Sequence, residues 1–300
     1  MRRLVLILAG LLLLMAAIVG IARSAVPPKV RYLSIKFYDP FYIAYERGLF
    51  AKHGIRVTLE FTHAGGPTVV AAIAGGSADV GTVAIPALIN ATVAGLPVVG
   101  FADVQSILPG QPLLAFFVRN DSLVKTPADA YGRIWAVNTS GAAFHYLAIL
   151  ALKQWNVDPA EVNFVTLPFD AQVLALEHGT VDIIGLPEPF ATYAGQRGFR
   201  RLITALDIVG PKQVTLYAAR PDFDKKTLAK FVGAVNEAVL WSYKNPQEAA
   251  KIVSKYTGVR AEDIVIVRFQ PAMRVMVDDC LWWANLLGKK VLPCTDRVRP

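Results

Sequence analysis

The chain has 300 residues, of which 54% are hydrophobic and 18% are charged. This composition excludes intrinsic disorder, which requires low hydrophobicity and high net charge, and the length suits two lobes sharing one chain. The formal net charge is +8, and removing the three arginines of the first 25 positions leaves 28 basic against 23 acidic residues. Such a diffuse surplus predicts no nucleic-acid partner.

The first 25 residues predict export. Met1-Arg2-Arg3 precedes Leu4–Ala22, an uncharged run of 19 residues, and small residues follow before Pro27. Apolar cores of signal peptides reach about 15 residues and a bilayer span needs about 20. We therefore expect segment 1–25 to be a cleaved signal peptide or an uncleaved anchor. The rest would lie in the periplasm or at the outer face of the cell membrane, touching the membrane only through an uncleaved leader.

The two cysteines are Cys280 and Cys294. In an exported chain they favour one disulfide that staples the last helix to the tail, and two unpaired buried thiols are the alternative. No histidine is near either cysteine in sequence, so no metal site is predicted. No cofactor is predicted either, because the chain has no Walker loop and no glycine-rich dinucleotide motif.

Strand-like and helix-like stretches alternate from Val30 to about Leu202, which is typical of an α/β protein. The first series predicts strands at Val30–Phe37, Val57–Phe61, Asp79–Thr82 and Val98–Val104, and helices at Tyr42–His53, Pro67–Gly75 and Ile85–Ala94. The second predicts strands at Ile134–Val137, Val162–Thr166 and Val181–Leu186, and helices at Ser140–Trp155, Asp170–Glu177 and Pro189–Gln196. A strand at Val214–Ala219 and helices at Asp224–Asn245, Pro246–Tyr256 and Ala272–Leu287 complete the chain.

The two series repeat each other. Gly76–Gly81 recurs 103 positions later as Gly179–Gly185, with one extra residue. Asp79 and Asp182 hold equivalent places, which favours a structural hydrogen bond over a ligand contact. The repeat predicts two lobes of one plan: lobe I from residues 29–115 and 216–290, lobe II from residues 116–215, and a tail at 291–300. The chain would cross between lobes near 114–118 and 214–217, and two crossings make a hinge.

Several predicted strand ends open onto helix N-termini, where open α/β sheets bind ligands and where unpaired N–H groups favour anions. Asn138–Gly141 follows a strand and supplies hydroxyls to cap the next helix. Ala64–Thr68 and Gly81–Ala84 make the same transition in the first lobe. A plain helix cap without a ligand is the alternative at each of them.

Two further segments complete the predicted site. In Pro187–Phe190 an acid stands between two prolines, so Glu188 could bind an amino group of the ligand or cap a helix. In Asp39-Pro40-Phe41 the ring is a candidate stacking wall. The candidate ligand-binding residues are Asp39, Phe41, Gly65, Gly66, Thr68, Thr82, Ala84, Asn138, Thr139, Ser140, Gly141, Glu188 and Phe190. No catalytic residue is predicted.

Four segments resemble the solute-binding proteins of ABC importers in the sulfonate, nitrate and taurine group, which shares a domain with thiamine-pyrimidine synthases. They are Tyr38–Phe50, Ala74–Gly81, Leu174–Asp182 and Pro187–Phe190. The resemblance implies a type II periplasmic-binding-protein fold whose lobes close on a small ligand. It also implies docking, as a monomer, onto a membrane permease that its ATPase drives.

The ligand expected from these features is a small organic anion or zwitterion. A binder of a thiamine pyrimidine precursor or another heteroaromatic, a pyrimidine synthase and a sensor module are the alternatives. The synthases carry a cysteine-rich motif, which this chain lacks, so we expect a binding protein and not an enzyme.

Overall fold

The computed structural model describes residues 26–111, 114–296 and 298. The predicted leader, residues 1–25, and positions 297, 299 and 300 of the predicted tail lie outside the described residues. Across the described ranges, none of the helices has both the length and the apolar character needed to cross a membrane.

Ten strands of the described chain form two sheets. They are β1 (Lys29–Ser34), β2 (Arg56–Phe61), β3 (Val80–Ala84), β4 (Val99–Ile107), β5 (Leu114–Val118), β6 (Ile134–Val137), β7 (Asn163–Thr166), β8 (Ile183–Pro187), β9 (Arg200–Thr204) and β10 (Lys212–Ala219). The helices between and after them are Phe41–Glu46, Leu49–Lys52, Gly66–Ala74, Ile85–Val93, Ala143–Gln154, Phe169–Glu177, Phe190–Gln196, Ala205–Val209, Lys225–Lys244, Pro246–Thr257 and Val277–Leu286.

The two sheets have the same plan. Their strand orders are β2-β1-β3-β10-β4 in lobe I and β7-β6-β8-β5-β9 in lobe II. In each sheet the first three strands are parallel, and the fourth is antiparallel to both of its neighbours. The chain passes from lobe I to lobe II between β4 and β5, and returns between β9 and β10. The predicted two-lobed α/β fold with two crossings is confirmed.

Both crossings precede the strands in which we expected them. β5 pairs within lobe II along its whole length, and β10 pairs within lobe I from Lys212 onward. Both strands are buried from end to end apart from Lys212. Their residues are thus buried on either side of each expected crossing, and the sequence pattern carries no mark of the point at which the chain changes lobes.

The lobes share structural details at a spacing of 103 positions. Helix Gly66–Ala74 corresponds to Phe169–Glu177 at this spacing. One oxygen of Asp79 accepts a hydrogen bond from the backbone N–H of Arg31 at 2.8 Å, and Asp182 accepts one from Ile134 N–H at 2.9 Å. The predicted structural role of the two aspartates is thus confirmed, because each carboxylate ties the loop before one strand to the start of its neighbour.

Four expectations about single elements were wrong. The predicted helix Tyr42–His53 is two short helices, because Gly48 adopts φ of +66° between them. The last helix begins at Val277, after a turn at Pro271–Met273, and not at Ala272. β9 was missed, since its first residues Arg200 and Arg201 interrupt any apolar pattern.

The fourth wrong expectation concerns the helix after β6. We predicted a start at Ser140, with hydroxyl caps, but the helix begins at Ala143 and its N-cap is Ala142, with no side-chain cap. Gly141 at φ of +75° turns the chain first, and its N–H is bonded to His145 Nδ1 at 3.1 Å.

The C-terminal helices return to lobe I and pack beside the hinge. Phe231 of helix Lys225–Lys244 is fully buried against Phe41 and Phe50. Gln213, at the start of β10, is held by Asp103 of β4 and by the backbone around Met276. The C-terminal segment therefore braces the two lobe I strands that lead into the hinge.

Cys280 and Cys294 form a disulfide in the structure. Cys280 lies in helix Val277–Leu286, and Cys294 pairs with Gly100 at the edge of β4. The disulfide thus joins the last helix to the segment after it, and the backbone of that segment pairs with the lobe I sheet.

Candidate ligand-binding cleft

A cavity lies between the two lobes and is called the inner cavity here. It encloses about 460 Å³, including the space open to solvent at its mouth. Lobe I lines it with Ile35, Phe37, Gly66, Thr82, Ala84, Gln105 and Thr215. Lobe II lines it with Leu114, Asn138, Ala142, Ala143, Phe144, Phe169 and Pro187. Because both lobes contribute equally, a molecule held there would bridge them.

Two polar atoms at this cavity lack a hydrogen-bond partner. They are Thr82 Oγ1 in lobe I and Asn138 Oδ1 in lobe II. Thr82 lies beside the Tyr32 hydroxyl, which donates to Asp39, and Thr82 Oγ1 forms no hydrogen bond of acceptable length and angle. An unpaired buried polar group costs about 1–3 kcal/mol, so a ligand that bonds to both atoms would remove a cost that the protein alone carries.

Three helix N-termini meet the inner cavity, through Gly66, Ala84 and Ala142–Ala143. None of these helices has a side-chain cap. Their first-turn N–H groups are therefore left without a side-chain partner, and the partial positive charge of each terminus favours an anion. No charged side chain of the described chain lines the inner cavity. The site can thus offer hydrogen-bond donors to an anion but no carboxylate to a cation.

The lobes touch each other around this cavity. Tyr38 N–H of lobe I donates to Glu188 O of lobe II at 2.8 Å. The hydroxyl of Thr139 lies 3.3 Å from Ala64 O across the cleft, and 2.6 Å from Asn138 O within its own lobe. Asn90 Nδ2 donates to the Tyr146 hydroxyl at 3.4 Å. This arrangement, in which the two lobes are in contact around the cavity, is called the closed form here.

Close approach at the rim requires glycine at position 65. Gly65 has φ of +75°, and a Cβ added there would lie 2.0 Å from Thr139 Oγ1. Of the other rim residues predicted as ligand contacts, Thr68 Oγ1 donates to Ala64 O at 3.5 Å, and Ser140 is exposed. The structure therefore places Gly65, Thr68, Thr139, Ser140 and Gly141 around the closing edge and not on the wall of the inner cavity.

Asp39 and Phe41 lie in the core of lobe I. Asp39 is fully buried and accepts hydrogen bonds from the hydroxyls of Tyr32 and Tyr217 and from Phe41 N–H. Burial raises its pKa to about 6, although these hydrogen bonds oppose the shift. The Phe41 ring is fully buried and stacks on Tyr32 at 3.8 Å. Neither lines the inner cavity, so we remove both from the proposed ligand contacts.

Glu188 lies beside a different opening. Its neighbour Pro187 lines the inner cavity, whereas Glu188 and Thr192 line a pocket with Pro109–Gln111 and residues 265–268. Its carboxylate accepts a hydrogen bond from Thr192 N–H at 3.2 Å, and burial raises its pKa to about 7. We therefore also remove Glu188 from the contacts proposed for the inner cavity.

Several lining residues escaped the sequence analysis. The most informative are Gln105 of β4 and Thr215 of β10, whose side chains are hydrogen-bonded at 3.2 Å. Both are buried polar residues on the strands next to the crossings. The cluster of polar residues Asp103, Gln105 and Ser106 within the strand segment 99–107 was an available signal. The aromatic wall of Phe37, Phe144 and Phe169 carried none, since buried rings are more often core.

These features define a class of protein. Two α/β lobes of equal strand order, joined by two crossings and closed on an interlobe cavity, form the periplasmic-binding-protein fold. Residues 38–249 match the family model described as NMT1/THI5 like. This match spans more than half of the chain, and the chain belongs to the NMT1/THI5-like family.

One relative is similar in sequence. The protein named "Putative binding protein YtlA" from Bacillus subtilis (strain 168) is 24% identical over 244 residues, covering 77% of this chain and 71% of that protein.

Solved structures share the fold at low identity. The periplasmic aliphatic sulphonate binding protein SsuA from Escherichia coli is 20% identical with a TM-score of 0.71, and the match covers 87% of each chain. The alkanesulfonate-binding protein SsuA from Xanthomonas axonopodis pv. citri, bound to MOPS, is 18% identical with a TM-score of 0.74, covering 91% of this chain and 99% of that one. The periplasmic nitrate-binding protein NrtA from Synechocystis PCC 6803 is 19% identical with a TM-score of 0.66, covering 80% of this chain and 69% of that one.

Proposed function

We propose that this protein is the extracytoplasmic binding component of an ABC importer. It captures a small organic anion or zwitterion between its lobes and delivers it, as a monomer, to a membrane permease whose ATPase drives transport. It acts by binding and not by catalysis. The leader exports the chain, to the periplasm or to the outer face of the cell membrane.

The pair of unpartnered atoms on opposite walls of the inner cavity supports this function most directly. Thr82 Oγ1 and Asn138 Oδ1 come from different lobes, so a ligand that bonds to both is held best when the lobes are closed. A ligand that binds one of two conformations more tightly shifts the population towards it. Hinge closure would therefore report occupancy to the permease.

The sign of the ligand's charge follows from the donors. Helix N-termini and a threonine hydroxyl donate hydrogen bonds, and exchanging the nitrogen and oxygen of the Asn138 amide puts an N–H group at its unpaired position. A sulfonate, nitrate or carboxylate accepts such bonds. The apolar wall formed by Leu114, Phe144 and Pro187 suits a short hydrocarbon portion.

A heteroaromatic ligand is the second candidate, since three phenylalanines line the inner cavity. Aromatic rings of proteins pack well against flat rings at centroid distances of about 4.5–7 Å. A thiamine pyrimidine precursor is cationic when protonated, however, and the described cavity lining offers it no carboxylate. A neutral heteroaromatic would fit the wall better.

A thermal-shift screen tests the proposal. The panel holds ethanesulfonate, propane-1-sulfonate, taurine, nitrate, acetate, a pyrimidine precursor and riboflavin. A compound present at 100 times its dissociation constant stabilises the protein by about 2.7 kcal/mol, which raises the melting temperature measurably. We expect the organic anions to do so. Stabilisation by the pyrimidine alone would favour the second candidate, and no shift with any anion would contradict the proposal.

A further inference from the structure

A second cavity adjoins the inner cavity and is called the outer compartment here. This outer compartment encloses about 310 Å³ and shares Ile35, Asn138 and Phe169 with the inner cavity. On its other side it shares Lys36, Asp170 and Phe190 with a broad groove open to solvent. The three spaces therefore adjoin one another, and a ligand of the inner cavity that extends past Ile35, Asn138 and Phe169 would reach the outer compartment.

The two compartments differ in charge. Within the described residues the inner cavity has no charged lining, whereas the half-buried Lys36 of lobe I and the exposed Asp170 of lobe II both line the outer compartment, together with His63 of lobe I. Neither Lys36 nor Asp170 has an ion-pair partner within 4.0 Å among the described residues. Among the described residues, the Asp170 carboxylate accepts a hydrogen bond from the N–H of its neighbour Ala171, at 3.0 Å. Most charged groups of the adjoining groove are by contrast already paired, as Arg197 is with Glu177 and Lys255 is with Glu46.

Opposite charges on opposite walls select the chemistry of the far end. A purely anionic end would gain Lys36 but would be repelled by Asp170, and a purely cationic end would have the reverse difficulty. An end that carries both an ammonium and a carboxylate gains both contacts, because charge-assisted hydrogen bonds are the strong ones. Such an end also stays outside the uncharged inner cavity, where the anionic head lies.

We propose that the ligand is an organic anion whose far end is an amino acid group, and that Lys36 and Asp170 are specificity-determining residues that bind its carboxylate and its ammonium. This inference rests on the proposed function, since it assumes an anionic head in the inner cavity. It adds the identity of the second end and assigns one side chain of each lobe to it.

Four sulfonates of two or three carbons test the assignment. L-cysteate carries both far-end groups, taurine only the ammonium, 3-sulfopropionate only the carboxylate, and propane-1-sulfonate neither. Calorimetric titration of the full chain, expressed with its own leader, gives the four dissociation constants. We expect L-cysteate to bind at least about tenfold more tightly than propane-1-sulfonate, as charged hydrogen bonds allow.

Two variants assign the contacts. Lys36→Gln should weaken L-cysteate and 3-sulfopropionate about tenfold and leave taurine within about twofold. Asp170→Asn should weaken L-cysteate and taurine to the same extent and leave 3-sulfopropionate unchanged. Lys251→Gln and Asp121→Asn make the same charge changes at exposed positions that line none of these spaces. These controls should leave all four constants unchanged.

The outcomes separate this inference from the proposed function. Binding of propane-1-sulfonate as tight as that of L-cysteate, or an equal loss for all four compounds in either variant, would overturn the assignment and leave an anion-binding inner cavity. If none of the four sulfonates binds while the protein is folded, the proposed sulfonate-type ligand fails and the inference fails with it.

Discussion

The two lobes share a backbone plan but present different chemistry to the cavity. Three pairs of positions separated by 103 residues line the inner cavity from both sides. They are Ile35 and Asn138, Gly66 and Phe169, and Ala84 and Pro187. Each pair occupies the same place in its lobe, and in no pair are the two side chains alike. The two lobes therefore line the site from equivalent positions but with different side chains.

The two lobes contribute different kinds of contact to the inner cavity. Lobe I contributes Thr82, Gln105 and Thr215 to the inner cavity, whereas Asn138 is the one polar side chain from the described part of lobe II. The lobe II residue equivalent to Thr82 is Gly185. A threonine would not fit there, because an added Cβ would lie 2.6 Å from the Phe144 ring. Lobe I therefore supplies most of the polar contacts, and lobe II supplies the apolar wall that closes over the ligand.

Blocking closure should have the largest effect. Gly65→Ala places a Cβ against Thr139 of the other lobe, which opposes the closed form, and it also strains the backbone of lobe I at φ of +75°. If the added methyl disfavours closure by about 3 kcal/mol, calorimetry should show affinity for the best ligand of the screen falling about 100-fold.

Gly76→Ala is the matched control for this variant. Gly76 also has a positive φ, +74°, but nothing lies within 4 Å of a Cβ added there, so Gly76→Ala strains the backbone without the clash between lobes. It should lower the free energy of unfolding and leave affinity unchanged. Equal affinity losses in the two variants would show that backbone strain, and not closure, is responsible.

The lobes also differ at Ile85 and Glu188, which are equivalent and both buried. Burial raises the pKa of Glu188 from 4.5 to about 7. The folded protein therefore keeps a proton there that the unfolded chain releases, so stability falls as pH rises from about 4.5 to about 7. Glu188→Gln, which cannot ionise, should be more stable than the wild type by about 3 kcal/mol at pH 8 and nearly equal to it at pH 4.5.

Denaturant unfolding at a series of pH values measures this difference. Burial also raises the pKa values of Asp39 and Asp103 to about 6. Both residues are present in the wild type and in the variant, so the stability of each protein still falls as pH rises. The test is therefore the difference between the two curves and not either slope alone. Parallel curves from pH 4 to pH 8 would mean that Glu188 ionises normally in the folded protein.

The polar wall of lobe I can be tested with Thr82→Val, which keeps the shape and removes the unpartnered hydroxyl. We expect affinity for an anionic ligand to fall about tenfold, the value of a hydrogen bond to a charged group. The ligand-free protein should be as stable as the wild type or more stable, because a buried unsatisfied group is removed.

Thr257→Val gives the opposite pattern and serves as the control for Thr82→Val. The Thr257 hydroxyl is buried but donates to Val253 O at 3.0 Å. Its loss should lower the melting temperature and leave binding unchanged. A drop in stability without a drop in affinity for Thr82→Val would place that hydroxyl in the fold and not in the site.

The smallest effect concerns the equivalent aspartates. Asp79 accepts from Arg31 N–H and also pairs with the Arg31 side chain at 2.6 Å, whereas Asp182 lies 3.8 Å from Arg133. An asparagine keeps the backbone contact and loses the charge. Asp79→Asn should therefore cost about 1 kcal/mol of unfolding free energy and Asp182→Asn less, as partly exposed ion pairs do. Denaturant unfolding measures both losses. Equal losses in the two variants would mean that the closer ion pair of Asp79 with Arg31 adds no extra stability.

The sequence predicted those features that depend on residues close together along the chain. The 103-residue repeat, the strand–helix junctions and four residues that line the inner cavity (Gly66, Thr82, Ala84 and Asn138) follow from turn chemistry and from the position of strand ends. Asp39 and Phe41 carry the same local signals. They lie in the core because segments much later in the chain cover them: Phe231 packs on the Phe41 ring, and the Tyr217 hydroxyl donates to Asp39.

The remaining lining residues depend on the crossings. Gln105 and Thr215 are 110 positions apart and meet through the pairing of β4 with β10, which no local pattern marks. Leu114 reaches the inner cavity as the first residue of β5, directly after the chain has changed lobes. Contacts of this kind need the three-dimensional arrangement.

The central claim is that an uncharged cavity between two unlike lobes binds an anion through hydrogen-bond donors. Parallel calorimetric titrations with ethanesulfonate and with n-propylammonium, which are similar in size and opposite in charge, test it most directly. We predict saturable binding of ethanesulfonate and no binding of n-propylammonium at the same concentrations. Saturable binding of the cation, with none of the anion, would contradict it.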